Sequence, residues 1–198
     1  MSSKNKVLVI GWDAAEWKVI MPLIQQGKMP ALSRLMSRGV HGKLQTLDPP
    51  LSPMLWTSIA TGFRADTHGI GGFIEPTPDG ENLRPVTSTS RKVKAIWNIL
   101  NQEGYKSNVV AWWPSNPAEP INGVMVSNLY QIATKPLEEE WEMPNGTVHP
   151  KEMEETMKEF RIHPHQINLI YIIFNQPIFQ SIGFNINYMH FICVCKWN

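Results

Sequence analysis

"KVLVIGWDAAEW", residues 6–17, decides the fold. The run from Lys6 to Trp12 is apolar from Val7 onward, rich in β-branched residues and without alternation. That is the pattern of a central parallel strand covered on both faces. It ends at Asp13, after which Trp17, Ile20, Met21 and Ile24 recur at helical spacing. A second helix is predicted from Pro30, where proline suits the first turn; it carries Leu32 and Leu35 and stops at Gly39. "VHGKLQT", residues 40–46, reads as the next strand. Beyond a glycine- and proline-rich segment, Gly69 to Pro85, the residues Val93, Ile96, Trp97 and Leu100 line one face of a helix closed by Gly104. The strand "SNVVAWW", residues 107–113, follows directly. Strand and helix alternating at this spacing predict an α/β sheet with right-handed crossovers and helices on both faces.

Composition limits what such a fold does. At 198 residues and 42% apolar, the chain has the size and the oil for a core and for an enzyme. Its 18 basic and 17 acidic residues leave a net charge of +1, and no electrostatic footprint for nucleic acid or an anionic membrane stands out. The expected partner is a small ligand. "MSSKNK" runs straight into a strand-like segment too short for a signal peptide or a membrane span, so a cytoplasmic location is expected. The two cysteines, Cys193 and Cys195, suit neither a disulfide framework nor a four-ligand zinc site.

The end of the chain has a different character. Every acidic residue lies at or before Glu159. Residues 161–198 are heavy in Ile, Asn and Phe and hold no sustained period, so the domain-like part is expected to span 1–160. Loss of the original reading frame near Phe160 in AT-rich DNA would produce this bias; a short hydrophobic docking tail, with "INLIYIIF" as a strand or an aggregation-prone segment, is the alternative. The nucleotide sequence separates the two.

Three polar residues draw attention, each with a plain structural alternative. Asp13, at the end of a buried strand, is placed to hold a metal or ligand at the carboxyl edge of a sheet, and equally to cap the following helix. Ser52, in "PPLSPMLWTSIATG" (residues 49–62), stands before Pro53 at the mouth of a short helix. There it serves as an N-cap, or as a hydroxyl facing the free N–H groups that favour an oxyanion or phosphate. His68 in "THGI" reads as a turn-fixing residue before it reads as a metal ligand. His163 and His165 are metal-like by type alone; they lie in the atypical tail, and Pro164 between them argues against a shared helix face. Trp97, Trp112 and Trp113 are either core or an apolar docking surface.

Taken together, "KVLVIGWDAAEW", "MPALSRLMSRGV", "LSPMLWTSIATGFRADTHGI" and "WNILNQEGYKSNVVAWWPSNPAEPINGVMVS" resemble, in order and spacing, the N-terminal half of alkaline phosphatase superfamily proteins of the type I phosphodiesterase/nucleotide pyrophosphatase group. The resemblance covers roughly residues 5–130. It implies a partial alkaline-phosphatase-like sheet, truncated, and metal-dependent hydrolysis of phosphoric mono- or diesters of small molecules. It further implies two divalent metal ions, usually zinc, one bound by Asp13, and Ser52 as the nucleophile that becomes phosphorylated and shares a metal. Ser52 is the position six residues before Ser58 of "SIATG", which sets it apart from Thr57 and Ser58. A phosphomutase-type relative, or a non-catalytic degenerate binding domain, are the alternatives.

The chain departs from the family pattern in two places. Where some relatives carry an Asn three residues after the nucleophile, Leu55 stands here. The family's later Asp and His ligand motifs have no counterpart, because the aspartates are Asp13, Asp48, Asp66 and Asp79 alone. The expectation is therefore the front half of a catalytic site, inactive in this truncated form.

Overall fold

The computed structural model describes residues 7–132, 135–136, 138–163 and, as backbone, 191–195. It is a mixed α/β arrangement, as the alternation predicts. Strand β1 (Leu8–Trp12) leads to helices α1 (Trp17–Gln25) and α2 (Pro30–Arg38), which pack on one another. Helix α3 (Ser52–Thr61) and the single turn α4 (Ala65–His68) follow, then the hairpin β2 (Ile74–Pro76) and β3 (Leu83–Pro85). Helix α5 (Ile96–Gln102), strands β4 (Asn108–Val110), β5 (Met125–Val126) and β6 (Val148–His149), helix α6 (Glu154–Glu159) and strand β7 (Phe191–Cys195) complete the order. The predicted tail segment "INLIYIIF" lies outside the described residues.

The main sheet runs β1-β7-β4-β5-β6. β4 and β5 pair in parallel, while β7 is antiparallel to both β1 and β4. β1 and β4 therefore point the same way, as a doubly wound sheet requires, but a strand from the end of the chain sits between them.

That arrangement corrects two expectations. Among the described residues β1 is an edge strand rather than a central one, and Leu8, Val9, Ile10 and Trp12 are all exposed. An uninterrupted apolar run encodes cover on both faces, and among the described residues that cover is not supplied. "VHGKLQT" forms no strand: Val40 and Leu44 are bare, nothing among the described residues pairs with the segment, and its Gly42 carbonyl is instead held by Trp17 Nε1 at 3.0 Å. A β pattern without a partner strand has no ladder to join.

The principal core gathers around tryptophan. Trp97 is 1% exposed and Trp112 2%; with Trp56, Ala60, Ala95, Val109, Ile121 and Met125 they form one cluster. Trp112 stands edge-on to both Trp56 (5.5 Å) and Trp97 (5.7 Å), and its Nε1 donates to the Trp56 carbonyl at 3.0 Å, tying β4's end to α3. Trp113 is partly buried against this cluster and meets Phe73 edge-on at 5.1 Å. Of the two readings of these rings, core is the one observed. A second cluster, Val126, Tyr130, Met143 and Val148, packs against Met153 and Met157 and is closed by Arg161, whose guanidinium lies 3.6 Å from the Trp141 ring. His163 is buried there too, edge-on to Trp141, with Nε2 3.1 Å from the Lys135 carbonyl. Its role is packing; His165 lies outside the described residues.

Candidate active site

The site is built where β1 stops and α3 starts. Beyond Trp12 the backbone turns sharply, with Ala14 in the left-handed region at φ 55°, a conformation a residue with a Cβ adopts at a cost of about 1–2 kcal/mol. Asp13, inside this turn, does not cap α1. That task falls to Glu16, whose carboxylate accepts from Lys18 N at 3.1 Å. Ser52 is likewise no cap: Leu51 holds the N-cap position and Ser52 is the first helical residue, with Pro53 next to it. Both plain alternatives are thus taken by neighbours.

Released from capping, the two side chains meet. Ser52 Oγ donates a hydrogen bond to Asp13 Oδ2 at 3.0 Å, across 39 positions of sequence. Both are half-buried, open enough to receive a ligand. The first turn of α3 leaves the Ser52 and Met54 N–H groups without intrahelical partners, while Pro53 has none to offer, so the hydroxyl sits at the electropositive end of a ten-residue helix. The helix ends cleanly at Gly62, whose φ of 76° lets its N–H turn back to the Ser58 carbonyl at 2.8 Å.

His68 fixes this helix in place. It is fully buried; Nδ1 accepts from the Ile70 N–H at 3.1 Å, which leaves Nε2 as the protonated nitrogen, donating to Ser58 Oγ at 3.0 Å. Ser58 in turn donates to the Met54 carbonyl at 2.9 Å, in the same turn as Ser52. With both ring nitrogens so engaged, His68 braces α3 rather than facing a metal, in line with the turn-fixing reading.

Burial pushes the His68 imidazole below its ordinary value of 6.5, against the opposing pull of Asp66 and with a small push the same way from Arg91. Protonation would put a hydrogen on Nδ1 facing the Ile70 N–H. A group whose folded pKa is depressed contributes stability that is complete above its unfolded value and is lost as pH falls through the folded one. The thermal midpoint of the native chain is therefore expected to drop on going from pH 7 to pH 5 more steeply than that of His68→Gln. Parallel slopes in a calorimetric series would remove His68 from this role.

The model of the type I phosphodiesterase/nucleotide pyrophosphatase family matches residues 7–177. The chain belongs to that family. The match takes in β1, Asp13, Ser52 and the whole tryptophan core, and it runs past Phe160. No curated protein and no solved structure matches the chain. No helix among the described residues is long and apolar enough to cross a membrane.

Proposed function

We propose that this family member uses Ser52 as the nucleophile of a metal-dependent hydrolase of phosphoric mono- or diesters, and that the chain carries the front half of the catalytic site without the back half. What supports the reading is the Ser52–Asp13 hydrogen bond, which joins the two residues singled out by the family resemblance in one half-buried site at a helix N-terminus. Asp13 orients the hydroxyl and holds its proton, and the free N–H groups of the first turn face the place where phosphoryl oxygens would lie.

A carboxylate is too weak a base to strip a serine hydroxyl on its own. In the family reading two divalent ions, zinc by resemblance, would supply that activation. Asp13 and Ser52 offer two oxygen donors where zinc takes at least three from the protein, and among the described residues no group of three or more His, Cys, Asp or Glu is placed to hold a metal. The residues described here do not fit a resident metal pair, so turnover is not expected from them alone.

The test joins residues 1–160 to a family C-terminal half carrying Asp and His motifs, adds nitrophenyl phosphate, quenches with acid and maps phosphate by peptide mass spectrometry. Phosphate on Ser52 is the expected result. Turnover with phosphate on Thr57 or Ser58, or on no serine at all, would contradict it.

A further inference from the structure

Glycine follows asparagine at two places in the chain, Asn122–Gly123 and Asn145–Gly146. Asparagine is a thermolabile residue, and a following glycine makes it more so, because a backbone nitrogen with no Cβ beside it reaches the side-chain carbonyl carbon with little hindrance. The fold treats the two dipeptides differently.

Around Asn122 the backbone is held on every side. Its N–H donates to Asn101 Oδ1 at 2.7 Å, its carbonyl accepts from Ser107 N at 3.0 Å, and the Gly123 N–H donates to the Ile121 carbonyl at 2.9 Å. Gly123 is also wedged against the Ser107 carbonyl, where a Cβ would collide. For the Gly123 nitrogen to reach Asn122 Cγ, those bonds must break first. Asn145 and Gly146 instead form an exposed turn before β6, with Gly146 in the left-handed region at φ 73°. Neither the Gly146 N–H nor the Asn145 side-chain amide has a hydrogen-bond partner among the described residues. Attacking nitrogen and target carbon are adjacent, unengaged and open to water.

We propose that Asn145 is a site of spontaneous covalent modification, deamidation through a succinimide. The Gly146 nitrogen bonds to Asn145 Cγ and gives up its proton, and the side-chain amide leaves as ammonia. Water then opens the ring at either carbonyl, giving aspartate or isoaspartate; water alone is consumed, and nothing is oxidised or reduced. Isoaspartate routes the main chain through the former side chain and adds a methylene directly before Gly146. The place is sensitive. The Gly146 carbonyl accepts from Ala118 N at 2.7 Å, the Thr147 carbonyl accepts from Ser127 N at 2.8 Å, and Ala118 packs against the tryptophan cluster. A longer backbone in the turn shifts these acceptors and loosens the segment they hold. The inference does not rest on Ser52 chemistry.

Purified residues 1–198 are held for days in mildly alkaline buffer, folded or in urea, and sampled by peptide mass mapping, with isoaspartate counted by methyl transfer from labelled S-adenosylmethionine with isoaspartyl methyltransferase. In the folded chain Asn145 is expected to deamidate about tenfold or more faster than Asn122, which reacts only after local opening. In urea the two rates should converge. The thermal midpoint should fall as isoaspartate accumulates, while fresh N145D, which carries the charge without the added methylene, should melt as the parent does. Asn145 that stays intact in the folded chain while it reacts in urea overturns the inference. So does Asn122 reacting as fast as Asn145 in the folded chain, or a rate difference that persists in urea. A midpoint that holds steady as isoaspartate accumulates overturns the anchoring role of the turn.

Discussion

Ser52→Ala is expected to abolish ester hydrolysis in a chimera that joins residues 1–160 to a family C-terminal half carrying Asp and His motifs, lowering kcat on the order of 10⁴-fold or more, while Ser58→Ala keeps its rate. The two serines share a helix but not a situation. Ser52 directs its hydroxyl outward to Asp13; Ser58 is locked between His68 and the Met54 carbonyl. Removing the Ser58 hydroxyl leaves a fully buried imidazole N–H without its acceptor, at a cost of about 1–3 kcal/mol in stability. Steady-state rates and thermal midpoints measured on both variants check the pair. A dead Ser58→Ala beside an active Ser52→Ala would reverse the assignment.

Trp97→Ala is expected to destabilise the chain by about 3–5 kcal/mol, enough to unfold a marginal domain. The ring is enclosed by Trp112, capped by the Arg91 guanidinium and anchored through Nε1 to Glu119. Truncation opens a cavity and also strips one of the three donors that satisfy a half-buried carboxylate. Denaturant unfolding followed by the remaining tryptophans measures the loss. A change under about 1 kcal/mol would return Trp97 to the role of a surface docking residue, and with it the non-catalytic reading of the chain.

How far the sequence could be read depended on whether the information was local. Helices α1, α2 and α5 follow from spacing, proline and glycine, and each begins or ends within a few residues of the expected place. The placement of β1 did not follow, because an apolar run reports only that a strand wants cover, and which strand lies beside it is decided by residues far away. The occupant of that place, β7, comes from the acid-free end of the chain, where no period announced a strand. "VHGKLQT" shows the same limit from the other side, a β-like composition with no partner strand among the described residues.

The candidate site was legible as a pair of residue types and not as a geometry. Asp13 and Ser52 each had capping as the simpler reading, and only the helix boundaries, Glu16 and Leu51, free them for one another. The buried Arg91–Glu119–Trp97 network left no sequence signature, since Glu119 lies 28 residues from Arg91 and 22 from Trp97 and meets them only after α5 has packed.

The front-half account meets its most direct test in residues 1–198 themselves. Zinc is titrated calorimetrically into the purified chain and the same sample is assayed with a nitrophenyl phosphate ester. Among the described residues Asp13 and Ser52 offer two oxygen donors where three or four ligands are the rule for zinc, so weak or absent binding and no turnover are predicted. Tight binding of two zinc ions per chain, with turnover that vanishes in Ser52→Ala, would contradict the account and make this chain a complete enzyme.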